Sequence, residues 1–245
     1  MNSSVPFNML SIIIPVYNEE KTISIVLDKV LNVKLPGEIS KQILVINDGS
    51  TDSTKDVIES YISAHPQNNI ELIHSGKNQG KGASIRKGIE RSSGEYLIIQ
   101  DADLEYDPNE FSSLIQPVLD GHADVVFGSR FRGSNPHRIL FFWHTIGNKF
   151  LTFFSNMFNN LNLTDMETCY KLMNTVMVKQ LKLKENRFGF EPEITTKISK
   201  ITDVRIYEVG ISYYGRKFKE GKKINWRDGF KAIWCIIKYN IFSKK

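Results

Sequence analysis

The chain has 245 residues, of which 41% are hydrophobic and 24% are charged, and its formal net charge is +5. This composition is ordinary for a globular protein, and the length is sufficient for one large domain with a hydrophobic core. The positive charge suits an anionic ligand or an anionic membrane surface. It is too small and too dispersed to indicate a protein that binds nucleic acid.

Secreted and membrane-spanning proteins are also disfavoured. Cys169 and Cys235 lie far apart without the spacing of metal ligands, so we expect free thiols in a cytosolic protein. The residues before the first apolar run are few and polar, which predicts no signal peptide. No apolar run reaches the roughly 18 residues that span a bilayer.

Strands and helices alternate through the first half of the chain. This regularity predicts an α/β fold with a mostly parallel sheet covered by helices on both faces. In such sheets, ligands bind beyond the carboxyl ends of the strands. Predicted strands cover 9–16, 42–47, 70–74, 96–100 and 124–129; predicted helices run from residue 17 to about Asn32, from the turn at 48–52 to about Ala64, from the loop at 76–82 to about Ser92, and over 108–119.

The fourth predicted strand leads directly into two aspartates, Asp101 and Asp103. Successive side chains of a strand point to opposite faces, so these two carboxylates begin on the same side. Such a pair is suited to holding a hard divalent cation, which could in turn hold a diphosphate. A solvated turn with helix-capping aspartates is the alternative interpretation of this pair alone.

Four segments at strand ends form an ordered set: 15–19, 47–52, 78–82 and 101–103. In this order and spacing they resemble the nucleotide-sugar domain of family 2 glycosyltransferases, and the resemblance covers roughly 9–135. It implies the GT-A fold, a mostly parallel sheet flanked by helices, to which the sequence adds a C-terminal amphipathic helix. It also implies a nucleotide-sugar donor and a Mg²⁺ or Mn²⁺ cofactor.

Individual roles follow from this resemblance. Asp103 would be the direct metal ligand, Glu105 would supply a second oxygen, and Asp101 would orient ribose or sugar hydroxyls. Asp48 resembles the family carboxylate that accepts a hydrogen bond from the nucleobase, although Asn47 replaces the second acid often found there. The resemblance further assigns nucleotide-sugar binding to Pro15, Tyr17, Glu19, Ile46, Lys81 and Ala102.

The segment Gly128-Ser129-Arg130-Phe131 narrows the resemblance to polyprenyl-phosphate (dolichyl-phosphate-type) mannosyl- and glucosyltransferases. In that subgroup the arginine faces phosphates, a task suited to its bidentate fork. The segments 168–173, 190–193 and 207–213 match the same subgroup. The resemblance implies catalytic roles for Asp101, Asp103, Arg130 and Arg216, and donor binding by Arg130, Lys171, Arg216 and Lys222.

Two aromatic segments occupy the second half. Within 139–158, positions 143, 146, 150, 154 and 157 follow helical spacing, which indicates either a core helix or a surface for lipid or a lipid-like substrate. A second amphipathic pattern indicates either a docked C-terminal helix or an interfacial membrane helix. Its apolar residues are Trp226, Phe230, Ile233, Trp234, Ile237 and Ile241.

The acceptor decides which further residues matter. A sugar hydroxyl needs a general base, for which Asp165 and Glu167 are the nearest candidates. A lipid phosphate, with a second pKa of about 6, is already anionic and instead needs cations beside the donor. Arg130, Lys171, Arg216 and Lys222 supply such cations.

We therefore predict a single glycosyltransferase domain over 1–245, with a nucleotide-sugar-binding half at 9–135 and an acceptor- and membrane-facing half at 136–245. The resemblance implies inverting transfer of a hexose, from GDP-mannose or UDP-glucose, to a polyprenyl phosphate. We expect peripheral contact with the cytosolic face of a membrane and no nucleic-acid partner. A family 2 transferase with a saccharide acceptor and a catalytically silent nucleotide-sugar-binding protein remain alternatives.

Overall fold

Near-continuous apolar runs form the strands because helices cover the sheet and leave few strand residues in contact with water. The computed structural model describes residues 7–133, 138–139, 142–215 and 226–242. In this part of the chain, seven strands form one sheet. The strands are β1 (Met9–Val16), β2 (Ser40–Asn47), β3 (Ile70–His74), β4 (Tyr96–Ile99), β5 (Val125–Ser129), β6 (Lys171–Asn174) and β7 (Ile206–Gly210).

The strand order is β3-β2-β1-β4-β6-β5-β7. β1 pairs in parallel with β2 and β4, β2 with β3, and β5 with β7, whereas β6 is antiparallel to both β4 and β5. The predicted mostly parallel sheet is therefore confirmed. Both predicted halves of the chain contribute strands to it.

Eight helices are described beside the sheet. α3 packs on β1 and β2, and α4 packs on β5, while α5, α7 and α8 contact one another. A 3-10 turn, Pro108–Glu110, precedes α4, and a π-helical turn, Lys238–Phe242, follows α8. The helices are α1 (Ile23–Asn32), α2 (Thr54–Ala64), α3 (Lys81–Arg91), α4 (Phe111–Leu119), α5 (Phe142–Asn159), α6 (Thr175–Lys179), α7 (Phe190–Ser199) and α8 (Trp226–Ile237).

The prediction that the first helix begins at residue 17 is wrong, because α1 begins at Ile23. Asn18 has a φ of 53°, in the left-handed region, and its side-chain oxygen accepts a hydrogen bond from the Thr51 N–H at 2.8 Å. Its own backbone N–H donates to the Ser50 hydroxyl. These bonds to the loop after β2 hold the segment out of a helix.

Strand β6 has no counterpart among the predicted strands. It contains four residues, as β4 does, but it begins with Lys171 and ends with Asn174 and so lacks the apolar run of β4. Its insertion between β4 and β5 is a long-range pairing that local sequence does not encode. β7 was likewise not predicted as a strand, although 207–213 matches the polyprenyl-phosphate subgroup of the resemblance.

Helix α5 is confirmed, but its aromatic side chains do not form a core face. Trp143 is 78% exposed and Phe150 is 53% exposed. The buried side of the helix is polar: Thr152, Ser155 and Asn159. These residues are satisfied internally, because the Thr152 hydroxyl accepts the Met166 N–H at 3.1 Å and the Asn159 amide donates to Ser155 at 3.0 Å.

Helix α8 also presents large apolar side chains outward. Phe230 is 67% exposed and Trp234 is 57% exposed, whereas Ala232, Cys235 and Ile236 are buried. The predicted apolar stripe is therefore largely an outer face. Among the described residues, no helix has the length and apolar character needed to cross a bilayer.

The close approach of α3 to β1 makes Gly88→Ala a test of this packing. An added Cβ would overlap the fully buried Ile13, with Ile13 Cγ1 only 3.0 Å away. We expect the free energy of unfolding to fall by about 1–3 kcal/mol, measured by urea denaturation.

The control is Gly147→Ala in α5, where an added Cβ meets nothing within 4 Å. This substitution should leave the free energy of unfolding unchanged or raise it by about 0.5–1 kcal/mol. Equal effects of the two substitutions would contradict the described contact between α3 and β1.

Candidate active site

A cleft of about 400 Å³ opens at the carboxyl ends of β1, β2 and β4. This is the edge of a parallel sheet where ligands generally bind. The structure brings most of the predicted site residues together here, from segments far apart in the chain. Those that line the cleft are Pro15, Tyr17, Glu19, Asp48, Lys81, Asp101, Ala102, Asp103, Glu105 and Arg130.

Four predicted site residues are not among the lining residues. Ile46 is fully buried in β2 and belongs to the hydrophobic core. Lys171 is fully buried in β6, where its ammonium group pairs with Glu191. Arg216 and Lys222 lie outside the described residues.

Asp48 fastens the end of β2 to the loop before α3. One carboxylate oxygen accepts the Gln79 N–H at 3.0 Å, and the other accepts the Gly80 N–H at 2.7 Å. Gly80 has a φ of 102°, a conformation that a side chain disfavours. Next to Asp48, Asn47 accepts the Ser50 N–H, but its buried amide nitrogen has no partner among the described residues.

The loops after β1 and β4 are joined at Thr22. Its hydroxyl lies 2.7 Å from the Ala102 carbonyl and 3.0 Å from a Glu19 carboxylate oxygen. The Glu19 N–H in turn donates to the Thr54 hydroxyl at 2.9 Å. These bonds fix the relative positions of the loops after β1, β2 and β4.

Asp101 forms an ion pair with Lys81, with 2.6 Å between the ammonium nitrogen and a carboxylate oxygen. Burial alone would lower the pKa of Lys81, but the Asp101 charge outweighs it and holds that pKa well above its usual value. Burial and the nearby Asp101 charge raise the pKa of the Cys169 thiol. Lys81 is therefore charged at neutral pH, whereas Cys169 is a thiol.

Asp103 and Glu105 lie on one tight turn. Leu104 between them has a φ of 62°, and Asp103 accepts the Glu105 N–H at 3.2 Å. Glu105 accepts the Tyr213 hydroxyl at 2.6 Å. No group of three or more potential metal-ligating side chains occurs in the described part of the chain. Two carboxylates suit a Mg²⁺ ion whose other ligands are water and substrate phosphate.

Arg130 is held by a bidentate ion pair with the fully buried Asp165. The two nitrogen–oxygen distances are 2.6 and 2.7 Å, and the Arg130 backbone N–H also donates to Asp165 at 3.1 Å. Burial lowers the pKa of Arg130, but the Asp165 charge more than compensates and keeps the pKa well above its usual range. Because Asp165 accepts these bonds, it is poorly suited to act as a general base.

Glu167, the other base candidate, lines the cleft. One of its carboxylate oxygens is buried and lacks a hydrogen-bond partner among the described residues. Burial, followed by the charge of Glu191, raises the pKa of Glu167 to about 7. This carboxyl group therefore changes its protonation state near neutral pH.

Lys171 lies behind the wall of the cleft. Its ammonium group bonds to Glu191 and to the Thr168 carbonyl, and lies 5.2 Å from the Phe127 ring centroid. Lys171 was predicted to be one of the phosphate-facing cations, because the sequence shows its charge and does not show its burial. Glu191, its partner, faces the cleft instead.

The loop from residue 185 to α7 supplies a wall that sequence reasoning did not identify. Arg187, Phe188, Phe190 and Glu191 line the cleft. The only sequence signal was the resemblance at 190–193, which carried no assigned role. Arg86 of α3 fixes this loop by donating to the Asn186 side chain at 2.6 Å and to the Glu185 carbonyl.

The chain matches the model of a known protein family. The model of the family Glycosyl transferase family 2 matches residues 11–181, which is more than half of the chain. The match includes most of β1, every strand from β2 to β6 and the strand-end segments that form most of the cleft.

Similar curated proteins include several dolichyl-phosphate beta-glucosyltransferases. The one from Dictyostelium discoideum is 37% identical over 129 residues, which are 49% of this chain and 39% of that protein. One from Trichomonas vaginalis is 29% identical over 266 residues, covering 99% of this chain and 79% of that protein. The human protein is 35% identical over 103 residues, covering 40% and 32%. The chain thus matches about two fifths of the Dictyostelium relative.

Among solved structures, glucosyl-3-phosphoglycerate synthase from Mycobacterium tuberculosis is similar in fold. Its complex with Mn²⁺, uridine diphosphate and glucosyl-3-phosphoglycerate gives a TM-score of 0.71 at 15% identity, over 95% of this chain and 80% of that chain. Its complex with Mg²⁺ and uridine diphosphate gives a TM-score of 0.70 at 16% identity, over 95% and 79%. The predicted GT-A fold is thereby confirmed.

The family match, the fold and the ordered strand-end segments agree, and the chain belongs to glycosyl transferase family 2.

Proposed function

We propose that this glycosyltransferase moves a hexose from a nucleotide sugar to a polyprenyl phosphate, with glucose from UDP-glucose favoured over mannose from GDP-mannose. The observation that carries the proposal is the convergence of Asp48, the Asp101–Asp103 pair and Arg130 on one cleft. The names of several relatives, which are dolichyl-phosphate beta-glucosyltransferases, support the sugar and the acceptor. Uridine diphosphate in the structural neighbours supports the nucleotide.

The charge of the cleft supports a metal cofactor. Its described lining contains the carboxylates of Glu19, Asp48, Asp101, Asp103, Glu105, Glu167 and Glu191, against the cations Lys81, Arg130 and Arg187. An anionic diphosphate would be repelled there without an added cation. Asp103 and Glu105 would hold a Mg²⁺ or Mn²⁺ ion, which neutralises charge on the leaving diphosphate when bound.

The remaining residues bind and orient. Lys81 holds Asp101 in one position, from which its carboxylate can accept hydrogen bonds from sugar or ribose hydroxyls. Asp165 holds Arg130, whose guanidinium carbon lies 5.1 Å from the Tyr213 ring centroid. Lys171 acts indirectly by holding Glu191. Nucleoside contacts by Pro15, Tyr17 and Glu19, and phosphate contacts by Arg216 and Lys222, stay predictions.

Asp103→Ala tests the donor site. We expect wild-type protein with Mn²⁺ to transfer glucose from UDP-glucose to a short polyprenyl phosphate. The variant should lose on the order of 100-fold or more in kcat/KM, because removing the metal-bound charge costs several kcal/mol of transition-state stabilisation. The measurement is radiolabelled glucose recovered in the lipid phase.

Asp120→Ala, at an exposed position after α4, is the matched control and should retain full activity. Metal-dependent turnover that survives Asp103→Ala would show that the metal site lies elsewhere. Absence of transfer by the wild-type protein from both UDP-glucose and GDP-mannose would overturn the proposed function.

A saccharide acceptor is a second candidate because Glu167 has the properties of a general base. Its carboxyl lines the cleft, one oxygen lacks a partner among the described residues, and its pKa is raised to about 7. A base of this kind would assist a hydroxyl nucleophile. A lipid phosphate, already anionic, would not need it.

Glu167→Gln separates the two acceptors. For a polyprenyl phosphate we expect kcat/KM within a few-fold of wild type at pH 8. For a saccharide acceptor, wild-type kcat/KM should rise with pH through about 7 as Glu167 ionises. The variant should then lose about 100- to 10,000-fold. The measurement is acceptor profiling of both proteins from about pH 5.5 to about pH 8.5, a range that brackets the pKa of Glu167.

A stability measurement checks the titration itself. The pKa of Glu167 is raised above its usual value in the folded protein, so its contribution to stability is present at acidic pH and is lost as the pH rises through about 7. The free energy of unfolding, measured by urea denaturation, should therefore fall more in the wild type than in Glu167→Gln when the pH changes from acidic to mildly alkaline. A pH-independent difference would show that Glu167 does not titrate there.

The exposed aromatic side chains of α5 and α8 support peripheral membrane contact. The two helices contact each other. We define the aromatic face as Phe142, Trp143, Phe150, Phe153, Phe230 and Trp234, each at least half exposed. Large apolar surfaces of this kind mark interaction sites, and a lipid acceptor requires access to a bilayer. Binding at the cytosolic side is part of the proposal.

Phe153→Ser combined with Trp234→Ser tests this face. Each side chain contributes roughly 1.5 kcal/mol or more when it leaves water. We expect the double variant to bind anionic lipid vesicles at least about tenfold more weakly in cosedimentation, with unchanged transfer to a water-soluble short-chain acceptor. Ile25→Ser, at an exposed position of α1, is the control. Equal vesicle binding by both variants would place the membrane contact elsewhere.

A further inference from the structure

The three described cations of the cleft differ in what they bind. Lys81 is paired with Asp101 at 2.6 Å, and Arg130 is paired with Asp165 through the Nε and Nη2 edge of its guanidinium. Arg187 is exposed and lines the cleft. Within the part of the chain that the structure describes, no carboxylate pairs with Arg187.

Moving either paired cation away from its carboxylate toward a ligand would be costly. If Arg130 moved to a phosphate, the fully buried Asp165 would be left without its partner, and an unpaired buried charge is strongly destabilising. If Lys81 moved, Asp101 would add its full negative charge to a cleft that already contains more carboxylates than cations. Arg187 can bind an anion without breaking an ion pair of the described structure.

The position of Arg187 is fixed through its neighbour Asn186. The Asn186 carbonyl accepts the Ala83 N–H at 3.1 Å, and Arg86 donates to the side chain of Asn186. The stem of Arg187 rests on Gly80, where an added Cβ would lie 2.7 Å from its Cγ. The loop that carries Arg187 therefore packs directly against the first turn of α3.

This position lies between the two ends of the proposed donor site. The Gly80 N–H is bonded to Asp48, at the nucleobase end, and the next residue, Lys81, is bonded to Asp101, at the sugar end. In a nucleotide sugar, the diphosphate joins these two ends. Arg187 lies over Gly80, at the junction between them.

We propose that Arg187 binds the diphosphate of the donor, and of the nucleoside diphosphate product, through its guanidinium fork. The inference rests on the proposed function and adds a residue outside the strand-end segments. Arginine suits this contact because two parallel N–H groups match two phosphate oxygens. Arg187 complements the metal ion, since it contacts the same anion from the wall formed by 185–188.

The test compares a diphosphate with its nucleoside in titration calorimetry with saturating Mn²⁺, because the carboxylates of the cleft would repel a diphosphate without an added cation. Arg187→Ala should weaken uridine diphosphate about 10- to 100-fold, the range expected for a charged hydrogen-bonded contact, and should leave uridine affinity unchanged. The affinity of Arg187→Lys for uridine diphosphate should fall between those of the wild type and Arg187→Ala, because lysine keeps the charge and loses the fork. Lys184→Ala, an exposed cation of the same segment outside the cleft lining, should match wild type.

Two results would overturn the inference. Unchanged affinity of Arg187→Ala for uridine diphosphate would show that Arg187 does not contact the phosphates. An equal loss for uridine and uridine diphosphate would show that it shapes the nucleoside pocket instead. If wild-type protein binds guanosine diphosphate more tightly, the same comparison uses guanosine and its diphosphate. Failure of wild type to bind either diphosphate, with or without Mn²⁺, would instead overturn the proposed function.

Discussion

An excess of carboxylates in a cleft that must receive an anion is the constraint on which the site depends. In the described structure, two ion pairs compensate part of this negative charge: Lys81 with Asp101, and Arg130 with Asp165. Each pair keeps a cation charged and immobile at the edge of the sheet. On the proposed function, a diphosphate would require a further cation here, and Asp103 with Glu105 would offer oxygen ligands for one.

The precision of the cleft comes from bonds between loops that are distant in sequence. Asp48 holds the loop before α3, Thr22 joins the loops after β1 and β4, and Arg86 fixes the loop at 185–188. Gly80 allows the close approach of that last loop, since a Cβ there would overlap it. The first and second halves of the chain therefore share one site, although the resemblance covers mainly the first.

Much of this could be predicted where the signal is local. The strands β1 to β5 are apolar runs bounded by turn residues, and the aspartates after β4 have a chemistry visible in three residues. Prediction failed where distant contacts decide. Asn18 is kept out of α1 by the loop after β2, β6 lacks an apolar run, and Lys171 is turned into the protein by Glu191. The outward aromatic side chains of α5 have the spacing of a core helix, because periodicity reports that one face differs and not which face is buried.

The sequence by itself determined the alternating strands and helices, the family and the set of polar groups at the strand ends. These depend on apolar runs and short-range chemistry, which neighbouring residues encode. Only the tertiary structure decided which cation pairs with which carboxylate. It placed Lys171 behind the wall, left Arg187 in the cleft without a carboxylate partner among the described residues, and raised the pKa of Glu167 by burial. These outcomes depend on burial and on distances of a few ångströms between segments that a linear sequence does not bring together.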